Sequence, residues 1–443
     1  MNSDATAATV TERILHLVTR REDALIALTQ ELVAFDTTTR SHDAEPARDE
    51  AALQRLLASR LEGLGAEVDL WEPDADSIPD APQLPNGATF HGRPQMMARI
   101  SGTGGGKTVV LNGHIDVVSA EPRSQWTKNP FEAFIDGRRL VGRGTCDMKG
   151  GIAAMVIAME VLQEAEIQLS GDVIINTVTD EEINGAGTVA SLARGLQADY
   201  GIVLEPSDLQ ICTANRGILA GRMAFTGRPG HADIPQPHWK NGGAVNAIEE
   251  ALPALVAIQQ LRGSWARDFA SSGDLPVGNI VPTTIKGGEW MVTYPSSCEF
   301  ELDVTYLPAQ ASADGTGAEV RRQIERSVLE AAPDREWAQL HPVVFDWYTD
   351  LPPAALEDDS PLVVRVAEVA DRLGLPAATV AHPSWTDAAS LTHAGIPSLV
   401  FGPTATRPDG SATLHTVDEY VDIDDLVKVT QMLALSLVAL TAS

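Results

Sequence analysis

Along the chain, apolar positions recur first at helical spacing and then in short runs. Leu25, Ile26, Leu28, Leu32 and Val33 share one face of a helix predicted over Glu22–Phe35, and Glu50–Leu64 repeats the pattern before Gly65. Apolar runs at Thr108–Leu111, Asp172–Thr177 and Tyr200–Leu204 then predict strands, separated by helices over Gly151–Glu164 and Gly187–Arg194. Strands alternating with helices predict an α/β sheet covered on both faces, with a site at its strand ends.

After Arg216 the rhythm changes. Strands are predicted at Ile218–Phe225, Ile280–Lys286, Cys298–Tyr306 and Pro342–Trp347, with helices over Gly242–Leu261 and Glu319–Ala331. That order, βαββαβ, is the ferredoxin-like arrangement and can fold as a separate α+β unit. From about Ser360 the first rhythm resumes, with a helix to Leu373, a strand at Ser398–Phe401 and a last helix from Asp424. The expected organisation is therefore an α/β domain made of residues 1–216 and 357–443, interrupted by an inserted domain at 217–356.

Composition narrows the function classes. A net charge of −29 over 443 residues disfavours a nucleic-acid backbone or an anionic membrane as partner. No apolar run approaches the roughly 18 residues that span a bilayer, and the first residues carry neither a basic nor an apolar leader segment. The three cysteines, Cys146, Cys212 and Cys298, are far apart and form no C-x-x-C pair, so neither a thiolate zinc site nor a disulfide framework is suggested. A cytoplasmic protein is expected. Ser101–Thr108 imitates a phosphate-binding loop, but Ser101 stands where that pattern needs glycine, and an apolar strand follows Lys107 in place of a helix.

Five segments gather acids and histidines just beyond predicted strands. They are His114-Ile-Asp116, Gly142-Arg-Gly-Thr-Cys-Asp147-Met-Lys-Gly-Gly151, Asp180-Glu181-Glu182, Glu205-Pro206 and His415 after Gly402-Pro403. Taken singly, each has a plainer explanation. His114 and Asp116 share a strand face, Asp147 suits a helix N-cap, and acids favour a helix start. Taken together, two imidazoles and three carboxylates suit a pair of zinc-like ions with one carboxylate shared.

These motifs, in this order, resemble the dinuclear metallohydrolases that include acetylornithine deacetylase, succinyl-diaminopimelate desuccinylase, aminoacylase and glutamate carboxypeptidase. The resemblance runs from the His114 loop to the His415 loop. It implies a central mixed sheet flanked by helices, with the insert serving as a lid and dimerisation domain. It implies two divalent ions per subunit, zinc with cobalt or manganese as alternates. His114 and Glu205 would hold one ion, Glu182 and His415 the other, and Asp147 would bridge them through a loop with a cis peptide. Asp116 would orient His114, and Glu181 would be the general base of amide hydrolysis. His231, in Gly227-Arg-Pro-Gly-His231, would reach the active site of a partner subunit in a homodimer.

Glu205 in place of Asp or His resembles the deacylases and carboxypeptidases of that family. The Asp-x-Arg that clamps a substrate carboxylate there is Asp303-Val304-Thr305 here, so the arginine is missing. Arg216 is the candidate replacement, Asn279 resembles a substrate contact, and Trp385 stands where small glycines are usual. The expected substrate is an N-acyl amine or N-acyl amino acid, with a dipeptide or carboxypeptidase substrate as the alternative. His16, His42, His91, His238, His341, His382 and His393 lack ligand-like surroundings, and Cys146 reads as a small buried side chain.

Overall fold

Four parallel strands form the middle of a mixed nine-stranded sheet, in the spatial order Val173–Val178, Val109–His114, Tyr200–Val203 and Ser398–Val400. Every residue of the first two is buried, so both faces are covered, as a parallel sheet requires. Gln95–Ile100 and then Glu67–Trp71 extend one side antiparallel, and Ile211–Asn215 pairs antiparallel on the other. The computed structural model describes residues 2–39, 47–78, 89–270, 275–331 and 336–442, so His42 lies outside the described residues.

One face of this sheet packs against the helix Lys149–Glu164, buried along nearly its whole length, and through it against Glu22–Val33, Pro361–Leu373 and Ile423–Leu440. The other face is covered by Ala186–Arg194 and Asp387–His393, over Val110, Ile174, Val203 and Val400. The helix that follows Asp147 comes unusually close to the chain around it. A Cβ on Gly150 would meet the Thr145 carbonyl oxygen at 2.4 Å, and one on Gly151 the Leu204 carbonyl oxygen at 2.8 Å. Two glycines there let the loop that carries Asp147 lie against the strand end that carries Glu205.

The chain divides into two compact units. The first comprises 1–214, 355–382 and 386–443, and the second 215–354 with 383–385. In the second unit, four antiparallel strands stand in the order Asn279–Gly287, Ser297–Tyr306, Gly217–Thr226 and Val344–Leu351. Helices Ala247–Asp268 and Ala318–Glu330 pack over Leu219, Met223, Phe300 and Val304. Strand Ser297–Tyr306 buries alternate residues, as a sheet with one covered face should.

Several elements depart from expectation. The helix over 242–261 starts later, at Ala247, because Asn246 caps it by accepting from the amides of Ile248 and Glu249. The Pro342–Trp347 strand runs instead from Val344 to Leu351. A helix over Asn2–Arg20 and the strands Glu67–Trp71 and Gln95–Ile100 were not predicted. Ser101–Lys107 is a turn, and Lys107 pairs with Asp199 at 2.9 Å. No helix among the described residues is long and apolar enough to cross a membrane.

Candidate metal centre

The carboxyl ends of the parallel strands converge on one cluster, where an open α/β sheet places its ligands. His114 is the last residue of its strand and fully buried. Asp116 follows two residues on, Asp180 to Glu182 follow the strand Val173–Val178, and Glu205 follows Tyr200–Val203. Asp147 comes from the turn before the helix Lys149–Glu164, and its peptide bond to Met148 is cis. His415 sits on a loop with a φ of +59° and keeps 46% of its side chain exposed.

Two three-residue groups result: His114, Asp147 and Glu205, and Asp147, Glu182 and His415. Within each, one ligand atom per residue lies within 4.8 Å of the others. His114 Nε2 is 3.0 Å from Asp147 Oδ1 and 3.1 Å from Glu205 Oε1. His415 Nε2 is 3.0 Å from Glu182 Oε2 and 3.3 Å from Asp147 Oδ2. Glu181 stands beside the first group, its Oε2 3.9 Å from His114 Nε2.

The ring of His114 is oriented differently from expectation. Its Nδ1 lies 2.8 Å from the backbone carbonyl of Asp116, while the Asp116 carboxylate stays 3.7 Å away. That carboxylate instead accepts from the Glu182 amide at 3.3 Å, tying the two ligand loops together. With Nδ1–H donating to a carbonyl, neutral His114 turns its Nε2 lone pair toward two carboxylate oxygens. That arrangement repels unless a proton on Nε2 or a metal cation stands between the three atoms.

Electrostatics point the same way. Among the described residues, no Lys or Arg ion-pairs with Asp147, Glu181, Glu182 or Glu205. Burial pushes the Glu205 carboxyl up to about 7 and the Asp116 carboxyl up to about 8. Burial, with the charge of Glu205, raises Glu181 well above the carboxylate range. Hydrogen bonds to the Asp147 and Glu182 carboxylates push His415 up to about 10. Burial opposes protonation of His114, but Glu205, Asp147 and Glu181 outweigh it and raise its pKa. Buried Glu182 Oε1 and Glu205 Oε1 have no hydrogen-bond partner. Buried acceptors of that kind ask for a ligand, and a divalent ion bound by two carboxylates and an imidazole fits each group.

The other four candidates belong to the second unit. His231 is exposed, pairs in a β-bridge with Thr293, and its Nδ1 accepts from the Asp233 amide at 3.2 Å. Arg216 donates from Nη1 to Thr305 Oγ1 at 3.4 Å and from Nη2 to the Pro383 carbonyl at 3.1 Å. The Asn279 amide donates to the same Thr305 hydroxyl at 3.1 Å. Trp385 is only 7% exposed and its indole donates to the Pro352 carbonyl at 3.0 Å, which anchors the 383–385 segment.

Two buried acids close to the centre went unassigned from the sequence. Asp387 accepts from Thr188 Oγ1 at 2.8 Å, and that hydroxyl accepts from Asn112 Nδ2 at 3.0 Å. Glu419 is fully buried and accepts from three backbone amides of the loop that ends in Asp147. Its partners lie more than 270 residues away in the chain, beyond the reach of local spacing.

The model of peptidase family M20/M25/M40 matches residues 110–439. The chain is 29% identical to N-formyl-4-amino-5-aminomethyl-2-methylpyrimidine deformylase of Halalkalibacterium halodurans over 441 residues, 96% of each chain. It is 28% identical to succinyl-diaminopimelate desuccinylase of Stenotrophomonas maltophilia, over 91% of this chain and 95% of that one. Its fold matches the crystal structure of a dinuclear metal-binding peptidase from Bacillus subtilis with a TM-score of 0.65 and 17% identity, covering 96% of this chain and all of that one.

Proposed function

The chain belongs to peptidase family M20/M25/M40 and is a metal-dependent amide hydrolase, and from that premise we propose how its residues divide the work. His114 and Glu205 hold one divalent ion, Glu182 and His415 the second, and Asp147 serves both. The observation that carries this reading is the pair of imidazole Nε2 atoms, each facing two carboxylate oxygens at 3.0–3.3 Å with no protein cation between. When bound, the two ions, zinc by preference and cobalt or manganese as alternates, would polarise the amide carbonyl and acidify a water.

Glu181 is the general base. Its carboxylate stands beside His114 without a protein cation to quench it, takes a proton from the attacking water, and returns that proton to the departing amine. Asp116 positions the pair, holding His114 through its carbonyl and the Glu182 loop through its carboxylate. His231 donates to the developing oxyanion across a homodimer formed through the second unit, whose strand Asn279–Gly287 is an exposed sheet edge. In that reading the protein is cytoplasmic.

The substrate is an N-acyl amine that carries no carboxylate for an arginine clamp. Thr305 stands where the clamp is expected, and the guanidinium of Arg216 is already held by Thr305 and Pro383. Two of the relatives similar along nearly the whole chain are deformylases of an aminomethylpyrimidine, which favours a formyl or similarly small acyl group. A panel of N-formyl, N-acetyl and N-succinyl amines and dipeptides, run on zinc- or cobalt-loaded protein, tests this. N-formyl aminomethylpyrimidine should have at least about 100-fold higher kcat/KM than the succinylated or dipeptide substrates, a difference of about 3 kcal/mol in transition-state binding. Preference for a succinyl amino acid or a dipeptide would overturn the substrate assignment while leaving the hydrolase intact.

A further inference from the structure

We propose that Glu419 is a positioning residue for the shared ligand Asp147, and that it couples the two loops which supply Asp147 and His415. The inference rests on the dinuclear reading above and extends it to a residue outside the ligand set. One oxygen of Glu419 accepts from the backbone amides of Gly144, Cys146 and Asp147, at 3.0, 3.0 and 3.2 Å. The other accepts from Arg143 Nη1 at 2.5 Å. Arg143 in turn donates to the Ser119 carbonyl at 3.1 Å, and the Gly142 amide donates to the Glu419 carbonyl at 2.8 Å. Both side chains are almost entirely buried, at 3% and 1% exposure.

The local geometry explains why a carboxylate is needed there. The turn that carries Asp147 points three amides in one direction. Buried amides need acceptors, and a single carboxylate oxygen supplies one to all three. Gly144 makes this possible with a φ of +84°, and a Cβ there would meet Val117 Cγ1 at 2.7 Å. The Gly142-Arg-Gly144 sequence thus supplies the cation and the turn, and Glu419 supplies the anion that both require. Because Glu419 lies four residues beyond His415, it fixes the Asp147 turn to the His415 loop. Any slip of Glu419 would move the backbone of the shared ligand, and the effect would reach both ions.

The experiment is a titration of ion-free wild type, Glu419→Gln and Thr127→Ala with zinc alone, followed by the visible absorption of the cobalt-substituted proteins. Glu419→Gln keeps the volume and one acceptor oxygen but gives up the charge paired with Arg143. Both stepwise zinc affinities should fall about 10- to 100-fold, the range seen when groups supporting metal ligands are removed. The cobalt bands should shift, and kcat should fall with KM within about twofold of wild type. Thr127→Ala removes from the same loop the hydroxyl that donates to Asp418 Oδ2 at 2.8 Å and keeps the amide that donates to Oδ1 at 2.9 Å. It should leave both affinities and the cobalt spectrum unchanged. Wild-type affinities and spectrum in Glu419→Gln, an equal loss in Thr127→Ala, or a Glu419→Gln chain that does not fold even with zinc present would each overturn the inference. A wild-type chain that binds fewer than two ions would instead sink the dinuclear reading on which it stands.

Discussion

His114 ends a central strand and is fully buried, whereas His415 stands on a loop at a φ of +59° with 46% of its side chain in solvent. Each faces Asp147 and one glutamate at nearly the same distances, so the donor chemistry of the two halves is matched. What differs is the support. The His114 half is pinned by a sheet, by the Asp116 carbonyl and by neighbours that exclude water. The His415 half relies on a loop held from outside. Matched donors in unequal surroundings predict unequal affinity, with the tighter ion at His114. Glu181, the proposed general base, lies beside the buried half.

The largest expected effect comes from Glu181→Ala. It should lower kcat by about 100- to 10,000-fold, the usual contribution of a general base, while the zinc content stays at the wild-type value. A variant that loses an ion as well would move Glu181 from base to ligand. Next comes the contrast between the two histidines. Both His114→Ala and His415→Ala remove one ligand, but His114→Ala should abolish the tight zinc-binding step and His415→Ala only the weaker one. Equal losses measured by titration would erase the asymmetry.

A smaller effect concerns pH. In the ion-free protein, His415 is pushed up to about 10 by Asp147 and Glu182, so its contribution to stability is complete below its ordinary value of 6.5 and is lost as pH rises through 10. Glu205 and Asp116 are pushed up to about 7 and about 8 by burial, so folding favours their protonated forms and loses that advantage as pH passes those values. Both contributions run the same way, and the ion-free fold weakens from roughly pH 4 to roughly pH 10. Bound ions want the deprotonated donors. The rise in Tm on adding zinc should therefore be larger near pH 8 than near pH 6, and a larger rise near pH 6 would contradict it. The smallest effect is kinetic: a chelator should strip zinc in two phases, the faster from the exposed half, and a single phase would show that the halves behave alike.

How much of this could be read from the sequence follows from the range of the interactions. The acids and histidines that the fold gathers were legible because all but His415 follow a strand or sit in a glycine-rich turn, where local pattern and family motif coincide. The central strands were legible as well, since buried parallel strands are continuous apolar runs. The strand Glu67–Trp71 was not, because its residues are only partly buried at the sheet edge and two of its five are acidic. The helix Asn2–Arg20 did carry a signal, with Val10, Ile14, Leu17 and Val18 at helical spacing, and Ile14 and Val18 are buried. The support of the ligands was out of reach. Asp116 acts on His114 through its backbone, which no side-chain pattern announces, and Glu419 meets partners brought to it only by the fold. The hold on Trp385 was equally out of reach, since the Pro352 carbonyl that accepts from its indole is brought there by the fold.

The central claim is that Asp147 serves two ions at once. Its most direct test is the number of zinc ions bound per chain at equilibrium, in wild type and in Asp147→Ala. The account predicts two for the wild type, and a variant that loses tight binding at both positions while remaining folded. A wild-type chain that binds no zinc, or an Asp147→Ala chain that still binds two ions with wild-type affinity, would contradict it.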